Sequence, residues 1–286
     1  MSAGPEVLRE ILAGPGLVPM PCCFDALSAR LVERAGFRLT FMSGFSVAAA
    51  RLALPDAGLI SFGEMRDAGR DICGAVSIPV IGDGDTGHGG APHVKRTVVE
   101  YARAGFAGVM IEDQVFPKRC GHTEGKGVVP RPEALARIRA AVDARDEGAG
   151  ALIVARTDAR ATHGLDEAIW RGRAFADLGA DVVFVEAPAS EEELRRVARE
   201  VPGPKLVNLV EDGVTPIPPV GRLEEMGYRI AAWPVTLLSA ATRAMEEALE
   251  ALAAGRPAPG RLSFEELKER VGFPAYDAEV RRYAAE

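Results

Sequence analysis

Eight short apolar runs, each closed by polar residues or glycine, constrain this chain more than any other feature. They lie at residues 17–22, 37–44, 78–83, 108–113, 152–158, 182–186, 205–210 and 229–235. Several are rich in Val and Ile without polar alternation, the pattern of strands covered on both faces of a parallel sheet. Between them lie amphipathic stretches of helical period, at 25–35, 93–104, 131–144, 166–178 and 191–200. Many of these stop at a glycine just before the next apolar run: Gly36, Gly105, Gly179 and Gly227. Glycine after a helix accepts the left-handed conformation that ends it. The repeating unit is therefore strand, loop, helix, glycine stop. Eight such units predict an α/β fold of the (β/α)8 TIM-barrel type, with a doubly wound open sheet as the alternative.

The 286 residues show no linker-like shift in composition, so one main domain is expected, a barrel over 1–249 carrying the catalysis. Residues 250–286 read as a helical extension, a loop at 253–261 followed by a helix at 262–270. Lys+Arg number 34 and Asp+Glu 41, a net charge of −7. That balance disfavours nucleic acid and anionic membranes as partners but leaves a small anionic substrate open, because a site can differ from the global sign. No apolar stretch reaches the roughly 18 residues of a membrane span. The four cysteines, Cys22, Cys23, Cys73 and Cys120, show no metal or disulfide spacing, and the first residues lack a signal-peptide pattern. Reduced thiols and a cytoplasmic location are expected.

In a barrel the chemistry gathers where strands end. Here the ends read Ser43-Gly44, Asp83-Gly84-Asp85, Glu112-Asp113-Gln114, Arg156-Thr157-Asp158, Glu186 and Asn208. The segment Gly82-Asp83-Gly84-Asp85-Thr86-Gly87 also satisfies the spacing of a dinucleotide-binding loop. Its two aspartates would oppose a pyrophosphate, where that motif needs open backbone N–H groups, so this reading is rejected. Asp83 and Asp85, with Glu112 on the next strand, offer hard oxygens suited to Mg²⁺, which takes one or two carboxylates and keeps several waters. A turn capped by aspartate side chains would give the same spacing.

A glycine-rich stretch follows Gln114: Lys118-Arg119-Cys120-Gly121-His122, then Thr123 to Gly127. A thiol flanked by two cations and an imidazole is placed to exchange protons, since neighbouring positive charge stabilises thiolate. An inert buried thiol is the alternative. Arg156, at the end of an apolar strand, must pair with something; a substrate carboxylate or Glu186 are the candidates. His88, His93 and His163 show no ligand spacing and are assigned to surface or loop.

Taken together, Ser43-Gly44, Pro55-Asp56, Asp83 with Asp85 and Gly87, Glu112-Asp113-Gln114, Lys118 to His122, Arg156-Thr157-Asp158, Glu186-Ala187 and Asn208 resemble the isocitrate lyase/phosphoenolpyruvate mutase superfamily. The resemblance covers most of the chain in order. The Lys-Arg-Cys-Gly-His element belongs to its lyase side; the mutases proper lack that cysteine. Methylisocitrate lyases, alkylmalate lyases and carboxyphosphonoenolpyruvate phosphonomutases are the similar branches.

The resemblance implies a C–C lyase acting on a 2-hydroxy di- or tricarboxylate, with a phosphonomutase or an oxaloacetate hydrolase or decarboxylase as alternatives. It implies Mg²⁺, with Mn²⁺ as a substitute, held by Asp83, Asp85 and Asp56, and with Glu112 ordering its waters. Ser43, Gly44, Phe45, Gly121, His122, Arg156, Glu186 and Asn208 would line the substrate site, and Cys120 would be the proton donor, with Glu112 and Arg156 also catalytic. It further implies a homotetramer in which a C-terminal helix is exchanged between subunits. Departures concern substrate size. Methylisocitrate lyases carry tyrosine in place of Phe41, glycine in place of Phe45, and an arginine soon after the eighth strand, where this chain reads Trp233 to Ser239. Arg243 comes later, and Gly90 and His93 replace asparagines. A narrower pocket short of one cation favours an alkylmalate-type dicarboxylate.

Overall fold

The computed structural model describes residues 4–121 and 125–284. The chain opens with α1 (Pro5–Ala13), β1 (Val18–Cys23), α2 (Ala26–Arg34), β2 (Thr40–Met42), α3 (Gly44–Leu52), α4 (Phe62–Ala75), β3 (Val80–Asp83), α5 (Ala91–Ala104) and β4 (Gly108–Glu112). It continues with α6 (Arg131–Ala144), a π-turn (Arg145–Ala149), β5 (Leu152–Thr157), α7 (Ala159–His163), α8 (Leu165–Asp177), β6 (Val182–Val185), α9 (Glu191–Glu200), β7 (Lys205–Asn208), α10 (Val220–Met226) and β8 (Ile230–Trp233). Last come α11 (Thr236–Ala253), α12 (Phe264–Val271) and α13 (Phe273–Tyr283). All eight strands are parallel, and β1 pairs with both β2 and β8, so the sheet closes into the expected barrel.

Alternation along each strand separates two cores. Met20, Cys22, Ile81, Met110, Leu152, Val154, Phe184 and Leu206 pack together inside the barrel. Their chain neighbours Cys23, Val109, Ile111, Ile153 and Ala155 pack outward with α2, α4, α5 and α6. Leu8 and Ile11 of α1 join the interior set, and a Cβ on Gly108 would lie 3.1 Å from Leu8, so α1 plugs the end where strands begin. The opposite end is left to the polar strand termini.

Seven of the eight strands fall inside an expected apolar run and are shorter than it, and β1 oversteps its run by one residue, Cys23. β2 has only three residues because Ser43 leaves the strand to cap α3, its Oγ accepting from Ser46 N at 3.3 Å. Helices α1, α3 and α4 lie where no helix was expected. In α3 the run Gly-Phe-Ser-Val-Ala-Ala-Ala carries no charge to reveal a helical period. In α4 the signal was a capping box, Ser61 and Glu64 bonding each other's backbone N–H groups.

The chain divides into two compact units, Met1–Leu237 and Leu238–Glu286. Residue 249 lies within α11, which runs on to Ala253. The second unit has two helices after α11 where one was expected; Gly272, at φ +95°, ends α12 and starts α13. Its apolar side chains are largely exposed, Phe264 and Tyr283 at 73% each. No helix among the described residues is long and apolar enough to cross a membrane.

Candidate active site

Strand parity decides which polar ends reach the barrel mouth. Asp83 follows interior Ile81 by two, Glu112 follows Met110, Arg156 follows Val154, Glu186 follows Phe184 and Asn208 follows Leu206. All five therefore share the inward face. Glu112 and Arg156 are register partners on adjacent strands. Arg156 Nε is 3.5 Å from Glu112 Oε2 and Nη2 is 3.1 Å from Glu186 Oε2. Its remaining reach goes to Asp158, at 2.9 and 3.1 Å. The guanidinium also lies over the Phe184 ring, 5.3 Å from its centroid. Of the two Arg156 partners considered from sequence, Glu186 is found here, joined in one network with Glu112 and Asp158.

On the other side of the mouth, Asp83 Oδ1 accepts from Asp85 N and Oδ2 from Gly44 N, each at 3.1 Å. A Cβ at position 44 would stand 2.6 Å from Asp83 Oδ2, so only glycine lets the start of α3 approach this carboxylate. Ser43 is buried beside it and Phe45 half-buried on the next position of α3. The Tyr101 hydroxyl donates to the Asp83 carbonyl at 2.9 Å and fixes the strand end from behind.

The β4–α6 loop lies across both halves. Lys118 Nζ pairs with Asp56 Oδ1 and, at 2.6 Å, with Asp85 Oδ1. Gly121 presses on the opposite half; a Cβ there would be 2.5 Å from Glu186 Oε2 and 2.6 Å from Arg156 Nη2. Cys120, half-buried, sits between these two anchors in the chain. His122 lies outside the described residues. The flanking cation Lys118 was expected to serve the thiol; its ammonium is taken up by the carboxylates instead.

Electrostatics follow from burial. The carboxylates of Asp56, Asp83, Asp85, Glu112, Asp158 and Glu186 outnumber the cations Lys118, Lys126 and Arg156 among them. Burial, then the neighbouring Asp85, raises the Asp83 carboxyl. Burial lifts Glu112 well above the usual carboxylate range, although Arg156 opposes it. For Lys118, burial works against the charge, but Asp85, Asp83, Asp56 and Glu112 outweigh it and raise its pKa well above that of an ordinary lysine.

This surplus of negative charge is what a divalent cation would balance. Glu112 Oε1 is buried and accepts no hydrogen bond among the described residues. The described residues hold no group of three or more His, Cys, Asp or Glu closed around one point, because Lys118 lies between Asp56 and Asp85. Asp83, Asp85 and Asp56 thus share one mouth without forming a cage. That fits Mg²⁺, which needs one or two carboxylates and brings its own waters.

Three parts of the site were not anticipated. Lys118, Asp158 and Lys126 had been seen only as neighbours of Cys120 and Arg156. Asp113, one residue beyond Glu112, faces outward: its Oδ2 accepts from Thr157 Oγ1 at 2.6 Å and Arg171 Nη1 at 2.9 Å, and its Oδ1 from Asp158 N at 2.9 Å. His88 is a loop residue as expected and is half-buried. Its ring meets Phe62 edge-on at 5.3 Å, its Nε2 is buried, and burial lowers its pKa. His93 and His163 are exposed. Arg243 makes its ion pair with Glu247 one turn on in its own helix, at 2.9 Å.

Comparison with known proteins places the chain in a family. Residues 8–253 match the phosphoenolpyruvate phosphomutase family. The chain is 43% identical over 245 residues to 2,3-dimethylmalate lyase of Eubacterium barkeri, covering 86% of this chain and 84% of that one. It is 40% identical over 287 residues to 2-methylisocitrate lyase of Aeropyrum pernix, covering 98% and 92%. Among solved structures, 2,3-dimethylmalate lyase superposes with a TM-score of 0.94 at 38% identity, covering 100% of this chain and 97% of that one. Oxaloacetate acetylhydrolase bound to 3,3-difluorooxalacetate gives 0.94 at 35% identity, covering 99% and 98%. Phosphonopyruvate hydrolase, solved with oxalate and Mg²⁺, gives 0.87 at 28% identity, covering 98% and 99%. A closed parallel barrel, a mouth of inward carboxylates beside one arginine, and these matches along nearly its whole length make the chain an enzyme of the phosphoenolpyruvate mutase/isocitrate lyase superfamily.

Proposed function

We propose that the protein is a Mg²⁺-dependent C–C lyase that splits a small 2-hydroxy di- or tricarboxylate, of alkylmalate or methylisocitrate type, into a 2-ketoacid and a carboxylic acid. The observation that carries this reading is the loop: Lys118 pairs with Asp85, Gly121 lies against Arg156 and Glu186, and Cys120 falls between those two anchors in the chain. A mutase has no use for a thiol there. The similarity to 2,3-dimethylmalate and 2-methylisocitrate lyases supports the same reading.

Asp83 and Asp85, with Asp56 and Glu112 behind bound water, would hold the cation. Bound there, it supplies Lewis acidity to the substrate's carboxylate and hydroxyl. The start of α3, with Ser43, Gly44 and Phe45, takes the substrate carboxylate nearest the metal side, and Arg156 and Asn208 orient the other end. The 2-hydroxyl gives up its proton to Glu112, whose buried Oε1 accepts no other hydrogen bond among the described residues. The electron pair left on oxygen forms the ketone, and the C–C pair passes to the departing fragment's α-carbon. The Cys120 thiol then gives its proton to that carbon. The loop keeps bulk water from doing so first.

Phe41 and Phe45 narrow the mouth and support an alkylmalate over methylisocitrate. Oxaloacetate hydrolysis is the second reading, favoured by the likeness to oxaloacetate acetylhydrolase. A panel of 2,3-dimethylmalate, methylisocitrate, isocitrate, oxaloacetate and phosphonopyruvate with Mg²⁺ tests it, read by ketoacid release. Turnover confined to oxaloacetate or phosphonopyruvate would overturn the lyase reading.

The catalytic barrel spans 1–249 in this reading, and the exposed apolar faces of α12 and α13 in the 250–286 extension support exchange with another copy in a homotetramer. A cytoplasmic location is consistent with its reduced thiols.

A further inference from the structure

Two side chains hold the β4–α6 loop on either side of Cys120. Gln114, buried at the loop's start, uses both ends of its carboxamide on Arg119. Its Nε2 donates to the Arg119 carbonyl at 2.8 Å, and its Oε1 accepts the Arg119 N–H at 3.0 Å. That pairing imitates a strand partner and fixes the residue before Cys120. Lys126 acts from the other side. Its ammonium, on a side chain only 3% exposed, donates to the Gly121 carbonyl and, at 3.2 Å, to Asp158 Oδ1. Asp158 is fully buried and is also the forked partner of Arg156. Gly121 itself lies against Arg156 and Glu186, with no room for a Cβ.

We propose that Lys126 is a positioning residue: its ammonium joins the Gly121 carbonyl to Asp158, and so sets the register of the Cys120 thiol against Arg156. The physical reason is the cost of burying an ammonium, which is tolerable only with a carboxylate and further acceptors around it. The lysine therefore has one place to sit, and the loop backbone is one of its acceptors. An uncharged chain of the same length would leave the Gly121 carbonyl without that donor and free the loop to shift. A displacement of about 1 Å at a reacting group can cost on the order of 10²-fold in rate. Lys126 touches no reacting atom in this scheme; it acts through Cys120, and the inference rests on the proton-donor reading of that thiol.

The test uses the full-length protein and two independent readouts. The first is the rate at which iodoacetamide labels Cys120 in the resting protein, followed by mass spectrometry; Cys22, Cys23 and Cys73 are buried. The second is kcat and KM for Mg²⁺-dependent ketoacid release from 2,3-dimethylmalate or whichever panel acid turns over fastest. In Lys126→Met, labelling should speed up about threefold or more and kcat fall about 10- to 100-fold, with KM held within about threefold. Lys126→Arg, which keeps charge and donors, should recover most of both. Equal labelling rates in wild type and Lys126→Met overturn the inference, as does a loss confined to KM. Should Lys126→Met fail to fold, Lys126→Gln takes its place under the same readouts and the same criteria. Cys120→Ser separates the two ideas: full turnover in that variant removes the proton-donor role, whereas the labelling comparison judges the Lys126 brace by itself.

Discussion

Glu112 and Asp113 are adjacent in the chain, both buried and both acidic, yet they belong to different machines. Glu112 points into the barrel mouth, where its nearest cation is Arg156 at 3.5 Å and its Oε1 has no hydrogen-bond donor among the described residues. Asp113 points out toward α8, where Thr157, Arg171 and the Asp158 N–H all donate to it at 2.6 to 2.9 Å. The inward carboxylate is left under-compensated, which costs stability and keeps a site ready to take a proton or a cation. The outward one is fully satisfied and ties β4 to β5 and to the helix that covers them. On the proposed reading the mouth serves chemistry and the brace serves stability, one residue apart.

Substitutions at the two positions should therefore separate activity from stability. Glu112→Gln removes the proton acceptor and should lower kcat by about 10²- to 10⁴-fold. Its melting temperature should equal or exceed that of wild type, because burial disfavours the charge that is removed. Asp113→Ala should do the reverse. It takes from the buried Arg171 guanidinium one of its two carboxylate partners, Glu167 remaining, and should cost about 3 kcal/mol in urea unfolding, with the surviving folded fraction turning over near the wild-type rate. Equal losses of activity and stability in both variants would erase the distinction. Thr157→Val is a finer probe of the brace: it deletes one donor to Asp113, for about 1–3 kcal/mol, and leaves the inward face untouched.

The barrel was legible because its strands are apolar on both faces, and the same property hid the parity. A strand with alternating polarity announces which residues face the core; an all-apolar run such as 108–111 of β4 does not. Glu112, Asp113 and Gln114 therefore read as one polar strand end, although one serves the mouth, one the brace and one the loop. The residue types of the site were visible from spacing: paired aspartates in a turn, an arginine after an apolar strand, a thiol among glycines. Its pairings were not. Lys118 meets Asp56 and Asp85 across 62 and 33 positions of chain, and Lys126 meets Asp158 across 32. Short-range patterns carry no information on such contacts. His88 is a loop residue as read, but nothing in Gly87-His88-Gly89 reports that Phe62 packs edge-on against its ring.

The brace extends to the surface through Arg171, and its outer end gives the smallest and most specific effect. Arg171 Nε donates to Glu167 Oε1 at 2.8 Å, one turn earlier on α8, and Arg131 pairs with the same carboxylate from α6. Hydrogen bonding from Arg131, opposed by partial burial and reinforced by Arg171, lowers the Glu167 pKa to about 2. A carboxyl with a depressed folded-state pKa stabilises the protein above its unfolded value near 4.5 and loses that contribution as pH falls toward 2. Glu167→Gln should therefore be less stable than wild type by on the order of 1 kcal/mol at pH 7, a figure discounted for the solvent around Arg131. In urea melts at stepped pH, the gap between the two proteins should hold from neutrality to about pH 5 and narrow steadily below it. A gap that stays constant down to pH 3.5 would mean that Glu167 contributes by packing alone, and that the brace ends electrostatically at Asp113 and Arg171.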